Sequence, residues 1–216
     1  MIEKAFFISN LLKRKKFDFI YIGSESCPNV ALKHLKEFRF DNKTVLTLPI
    51  LCDKGLNSFN KMIDVYVKKE KLAEIVLNDI GSVIYFRKKY KKLKINIGRV
   101  LTLYFKKSYM YEKVLKNFVS DWDINGIELD DWDLAVKISN ITNVHFHYGP
   151  SLSAVTRFCP WEKIWNSQKC EFSCFNKVKK LISSKIDYEL YLKDCGYYGD
   201  KNKDFGKNFH RIVEYR

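Results

Sequence analysis

"EIVLNDIGSVIYFRKKYKKLKINIGR" (residues 74–99) decides the fold. A β-rich run (74–79), a helical stretch (80–92) and a second β-rich run (93–99) follow one another with almost no linker. A helix used as a crossover joins parallel strands, because antiparallel neighbours need only a hairpin. The same rhythm extends both ways. "FDFIYI" (17–22) precedes a helical pattern from Pro28 to Phe38. "KTVLTLPI" (43–50) precedes an amphipathic stretch from Asn57 to Leu72, with Phe59, Met62, Ile63, Tyr66 and Val67 at helical spacing. Further on come a helix over 108–120, a strand in "INGIELD" (124–130), a short helix or turn at 131–139 and a strand in "TNVHFHYG" (142–149).

Six strands alternating with helices are parallel βαβ units. No GxGxxG or P-loop glycine pattern is present, which favours an α/β (β/α) TIM-like barrel over a nucleotide-binding doubly wound sheet. Six strands fall short of eight, so the expectation is a shortened or incomplete barrel. "FHRIVEYR" (209–216) is a candidate for a further strand. Residues 1–216 read as one domain, with 150–216 as a cysteine-rich loop and C-terminal tail within it.

The net charge is +14, but only 7 of 39 basic residues are arginine. Lysine spread over solvated faces explains this balance better than a nucleic-acid groove, which stays a weaker alternative. The densest run, "RKKYKKLK" (87–94), reads as an exposed helix end. No stretch is long and uncharged enough to span a bilayer, and "AFFISNLLKRKKF" has its basic residues after the apolar part, unlike a signal peptide. A cytoplasmic location is expected. In a reducing compartment, six cysteines point to metal or redox chemistry rather than structural disulfides.

Three cysteines fall in "FCPWEKIWNSQKCEFSC" (158–174): Cys159, Cys170 and Cys174, spaced C-x10-C-x3-C. In βα barrels the chemistry sits at the strand C-termini. Strand-end position places Cys27, in "GSESC", on the same face and makes it the candidate fourth ligand. Four converging thiolates suit zinc or an iron–sulfur cluster. Zinc sites usually use paired C-x2-4-C knuckles, so ligands drawn from distant loops favour a cubane cluster, with zinc as the alternative. Unpaired buried cysteines acting as small hydrophobes are the plainer reading.

"FDFIYIGSESC", "EIVLNDIGSVIYF", "INIGRVLT" and "VTRFC" followed by C-x10-C-x3-C occur in an order that resembles the UbiV-like family of the collagenase-like peptidase superfamily (family U thirty-two), over residues 17–174. The resemblance implies a 4Fe–4S cluster on Cys27, Cys159, Cys170 and Cys174. It implies oxygen-independent hydroxylation of the ubiquinone ring with a related UbiU-like partner, and prephenate as oxygen donor. Relatives that hydroxylate RNA bases supply another alternative, and a non-enzymatic metal-stabilised barrel that binds a partner protein or peptide a third. No HExxH or nucleophilic-serine motif supports peptidase activity. UbiV-like chains begin with an extra strand and helix. Here "MIEKAFFISNLLKRKK" (1–16) reads as a helix, so the first barrel strand is missing unless "AFFIS" supplies it. An open edge would call for a partner chain.

Catalytic residues are not identifiable from the sequence. Arg99 and Arg157, at strand ends, are candidates for holding a substrate carboxylate. His145 and His147 share one strand face and are candidate donors or proton carriers, though hydrogen-bonded packing is the plainer reading. Asp79 and the "ELDDWD" stretch (128–133) are expected to cap helices. Cys52 is expected in the core and Cys195 at a turn or the surface. Trp161 and Trp165, between two ligand cysteines, are candidates for shielding a cluster.

Overall fold

The computed structural model describes residues 3–7, 17–38, 40–69, 72–107, 112–165, 169–182, 188–199 and 209–215. Seven strands come first in the chain: β1 (Glu3–Phe7), β2 (Phe19–Gly23), β3 (Thr44–Thr47), β4 (Glu74–Leu77), β5 (Lys94–Ile97), β6 (Gly126–Leu129) and β7 (Asn143–Tyr148). Six helices lie between them: α1 (Pro28–Glu37), α2 (Asp53–Lys68), α3 (Ile80–Lys89), α4 (Arg99–Lys107), α5 (Glu112–Asp121) and α6 (Trp132–Ile138). Residues 151–199 then form an excursion with strands β8 (Ser151–Val155), β9 (Phe158–Cys159), β10 (Ile164–Trp165), β11 (Val178–Leu181), β12 (Leu190–Lys193) and β13 (Gly196–Gly199). The chain returns to the ring in β14 (Arg211–Tyr215).

The barrel is closed and complete. Its order is β1-β14-β7-β6-β5-β4-β3-β2, and neighbouring strands pair in parallel. This corrects the expectation of a shortened barrel with an open edge. Residues 3–7 are a strand and not part of a helix, because they pair with β14 on one side and β2 on the other. Tertiary pairing overrides a weak local preference there. Residues 8–16 lie outside the described residues. The tail strand suggested by "FHRIVEYR" is β14. Helix α2 begins at Asp53, earlier than expected, and α4 was not foreseen at all. Of the helix expected over 108–120, residues 108–111 lie outside the described residues.

Alternation along the strands explains why the barrel holds together. Ile20, Ile22, Leu46, Ile75, Leu77, Ile95, Ile97, Ile127, Leu129, Val144 and Phe146 face outward into the apolar layer beneath the helices. The opposite set faces the lumen. Ala5, Tyr21, Val45, Val76 and Val213 form its apolar part. The rest is polar, and its charged groups are paired. The Arg211 guanidinium donates to both Glu74 oxygens at 2.8 Å, to Glu3 Oε2 at 2.9 Å and to the Tyr21 hydroxyl at 3.2 Å. Tyr21 in turn donates to Glu128 Oε1 at 2.9 Å. A barrel lumen of this length admits charge only where each charge has its counterpart, since a lone buried ion is very costly.

Helix starts behave as the sequence indicates. Asp79 accepts from the Ser82 amide (2.7 Å) and hydroxyl (2.7 Å), and also from the Leu51 amide (3.2 Å), so it ties α3 to the loop after β3. Asp131 caps α6 through the Leu134 amide. Asp79→Ala is expected to lower stability by about 1–2 kcal/mol, read from the urea midpoint. An unchanged midpoint would show that water replaces the cap at no cost.

The basic run 87–94 is not one exposed surface. Arg87 is buried and donates to the carbonyls of Trp122, Lys91 and Asp123. Lys89 pairs with Asp64. The run lies where α3 returns to the strand starts, at the opposite end of the barrel from the cysteines.

Candidate metal centre

The strand C-termini face one end of the barrel, and the thiols gather there. β2 ends at Gly23, whose φ is +113° and where a Cβ would stand 2.1 Å from the Thr47 carbonyl oxygen. Only glycine fits a turn so close to the neighbouring strand. The chain then turns sharply. The Ser24 hydroxyl accepts from the Ser26 amide (3.3 Å) and the Cys27 amide (3.1 Å) and donates to Asp194 Oδ2 (2.8 Å). Cys27 is therefore placed at the N-cap of α1, where the Val30 and Asn29 amides favour its thiolate.

The excursion supplies the remaining thiols. β8 pairs with β13 in a four-stranded antiparallel sheet of order β11-β12-β13-β8. The β9–β10 hairpin carries Cys159. A turn containing Phe172 and Asn176, both at positive φ, carries Cys170 and Cys174. The two residues between β12 and β13, Asp194 and Cys195, fold back onto the β2–α1 turn, where the Cys195 amide donates to Ser26 Oγ at 3.3 Å.

Cys27, Cys159, Cys174 and Cys195 are buried together, with Val30, Trp161, Ile164 and Phe175 packed around them. Three of these are sequence candidates. Cys170 sits at the edge, half-buried, with its thiol 3.7 Å from Glu162 Oε1 and the Phe172 amide 3.4 Å from its sulfur. Cys195 lies in a turn, as one of the two expectations had it, but not at the surface: its exposure is 0%. Cys52 corrects the expectation of a core residue, since it is exposed at the start of α2. All six cysteines are free thiols.

Electrostatics at the cluster follow from this crowding. Burial pushes the Cys174 thiol up to about 12, and Asp194, Cys27, Cys159 and Cys170 add to the effect. Burial also raises Cys170, with Glu162 and two other sulfurs contributing. Cys195 is raised far above the thiol range by its hydrogen bond with Cys27, then by burial. Cys27 is lowered, first by accepting that hydrogen bond, although burial opposes it; the Val30 and Asn29 amides assist. The raised thiols, Cys170, Cys174 and Cys195, stay protonated until a cation supplies the compensating charge.

The donor set fits a thiophilic group. Soft sulfur ligands select zinc or iron–sulfur clusters. Among the described residues, no three His, Cys, Asp or Glu side chains are arranged to hold one metal ion. A 4Fe–4S cluster needs a wider spread, because each of its four thiolates binds a different iron. Glu162 braces the Cys170–Cys174 turn by accepting from the Glu171 amide (3.0 Å), the Ser173 amide (2.8 Å) and the Ser173 hydroxyl (2.9 Å). Trp161 donates to the Asp194 carbonyl at 2.8 Å and walls the thiols from water. Trp165 is 59% exposed and lies edge-on to Phe158, away from the cluster.

Beside the cluster a cavity of about 260 Å³ is lined by Glu25, Ser26, Ile50, Tyr104, Val155, Thr156 and Arg157. Arg157 is exposed at its rim. Arg99 is buried behind Glu25, not on the cavity wall, and is fully engaged: its guanidinium donates to both Glu25 oxygens (3.1 and 2.5 Å), to Asp130 Oδ2 (3.1 Å) and to the Pro150 carbonyl (3.2 Å). Tyr198 also donates to Glu25, at 2.8 Å. Arg99 thus fixes the cavity floor. His145 and His147 are buried in the lumen and converge on Glu128, His145 Nδ1 at 3.0 Å and His147 Nε2 in a short contact. Burial lowers the His147 pKa, and Arg99 adds to this. His145 Nε2 is buried with no partner among the described residues and faces Gly126, where a Cβ would stand 2.9 Å away. A larger cavity of about 610 Å³, lined by residues such as Asn125, Asn143 and His210, lies at the other end, where strands start.

A closed eight-stranded ring with its thiols at the strand ends can be set beside known structures. The chain is similar in fold to a solved U32 peptidase. That structure, the U32 peptidase Mk0906, matches with a TM-score of 0.55 and 8% sequence identity, over 100% of this chain and 93% of that one. At this identity the likeness is one of fold. No family model matches the chain, and no curated protein matches it. Among the described residues no helix is long and apolar enough to cross a membrane.

The sequence pattern missed Cys195, Glu162 and Asp194. The signal for Cys195 was present in "LYLKDCGYYG", two alternating strands around a two-residue turn.

Proposed function

We propose that the chain is a UbiV-like iron–sulfur barrel of the collagenase-like peptidase superfamily. In this reading Cys27, Cys159, Cys170 and Cys174 hold a 4Fe–4S cluster, and the protein acts with a related UbiU-like barrel in oxygen-independent hydroxylation. The observation that carries the reading is the gathering of thiols from the β2–α1 turn and from the excursion after β7 at the strand C-termini. When bound, the cluster supplies one-electron chemistry or activates an oxygen donor. The chain's own residues position and protect it. The α1 amides orient the Cys27 sulfur, Glu162 holds the Cys170–Cys174 turn, and Val30, Trp161, Ile164 and Phe175 exclude water. Arg157, at the rim of the adjoining cavity, is the cation placed to receive a carboxylate of a small anionic donor such as prephenate. Glu25, held by Arg99 and Tyr198, keeps the floor rigid and repels a second anion.

Anaerobic purification tests the reading. A brown protein absorbing near about 400 nm is expected, with the absorbance lost in Cys27→Ala. A colourless protein holding one zinc per chain would overturn it.

A further inference from the structure

The excursion adds four thiols to Cys27 at the barrel mouth, making five and not four. Cys195 is the most buried of them, at 0% exposure. It is also firmly placed. Its amide donates to Ser26 Oγ at 3.3 Å and its carbonyl accepts from the Thr156 amide at 2.9 Å. Asp194 before it adopts φ +51°, a conformation aspartate tolerates in tight turns. Trp161 locks the Asp194 carbonyl, and Ser24 locks its carboxylate. Its sulfur thereby rests against Cys27, in the same packed group as Cys159 and Cys174. Cys170 has the opposite character. It lies at the edge of the group, and its neighbours Glu171 and Ser173 are exposed.

A cubane takes four thiolates. We propose that Cys27, Cys159 and Cys174 are its fixed ligands and that Cys170 and Cys195 are alternative thiols for the fourth iron. The inference rests on the iron–sulfur reading above. Exchange between them is a ligand substitution without redox change. The Cys195 thiol loses its proton and its sulfur bonds to iron, while the Cys170–iron bond breaks and the Cys170 sulfur takes up a proton. No electron moves and no further reagent is needed. The arrangement gives the protein an outer ligand that solvent can reach and an inner one that it cannot.

The test is anaerobic reconstitution of the full chain with ferrous iron and sulfide, followed by iron and sulfide analysis. Wild type, Cys170→Ala and Cys195→Ala are each expected to hold about four irons and four sulfides. The Cys170→Ala/Cys195→Ala double variant is expected to hold at least about tenfold less. The electron paramagnetic resonance spectra of the two reduced single variants should differ, because the fourth iron then has different surroundings. Cys→Ser versions, with thermal melts by circular dichroism, separate loss of cluster from loss of fold. If either single variant loses the cluster as completely as the double variant, the alternation is overturned. A wild-type chain that takes up no iron would overturn the cluster reading itself, a distinguishable failure.

Discussion

Arg211→Met is expected to cost about 3–5 kcal/mol of folding stability, measured as a shift of the urea midpoint. Arg211 and Glu74 are each 1% exposed and share two hydrogen bonds of 2.8 Å. Removing the guanidinium strands the Glu74 carboxylate in the lumen, where among the described residues only Asn96 Nδ2, at 2.6 Å, still serves it. It also removes the donor to Tyr21 and the stack on Phe19, whose ring centre lies 3.7 Å from the guanidinium carbon. The pair's net worth is smaller than the cost of breaking it, because both ions were desolvated to form it. The double variant Arg211→Met/Glu74→Leu should therefore recover much of the loss. A single variant as stable as wild type would show that water enters the lumen and solvates Glu74.

Stability should fall in two stages on acidification. Burial lowers the pKa of His34 and His147 from 6.5, so the folded state keeps them neutral while the unfolded chain takes up protons. Their contribution is complete above pH 6.5 and is lost as pH falls below it. The second stage comes from carboxylates. Burial opposes ionisation of Glu25, Glu74 and Glu128, yet their partners hold all three below 4.5: the Arg99 guanidinium for Glu25, the Arg211 guanidinium for Glu74, and the interactions with His145 and His147 for Glu128. Their contribution is present above pH 4.5 and is lost as pH falls through the lowered values, with Glu128 last. Asp194, raised by burial, works against this trend. A net loss of folding stability between pH 7 and pH 3 is therefore expected. Urea titrations across that range measure it. A flat profile would mean that these groups keep their ordinary values in the fold.

The strands legible in the sequence are those whose outward face is a run of Ile, Val and Leu. β4, β5 and β6 read clearly because their outward residues meet the helices, whatever the lumen side carries. The lumen itself was less legible. Glu74, Asn96 and Glu128 look like ordinary polar positions of half-exposed strands, and only the closed ring shows that they are buried and paired. β1 was hidden for another reason. "EKAFF" has little alternation and precedes a basic run, so its strand state comes from its two neighbours in the ring. α4 was lost because Arg99 and Val100 follow the strand directly, leaving no loop to mark a boundary.

Among site residues, Cys27 was reachable through a general rule about barrels: the strand C-termini are where side chains converge. The excursion was not. β11, "VKKL", is exposed over Val178, Lys179 and Lys180 and is held by pairing with β12, "LYLK", which buries only Leu192. Their hairpin partner β13 then delivers Cys195. A thiol that reaches its neighbours through three successive antiparallel pairings leaves no spacing signature.

The ring closes through Arg211 and Glu3, which are separated by 208 residues along the chain. That span has a kinetic meaning. Local βαβ units can form early, whereas joining β1 to β14 requires a large loss of chain entropy first. Until it happens, Glu3 and Glu74 lack their cation, so closure of the seam is a late event that neutralises charge already gathered in the nascent lumen. Weakening the seam should accordingly show itself in faster unfolding, with the rate of folding little changed.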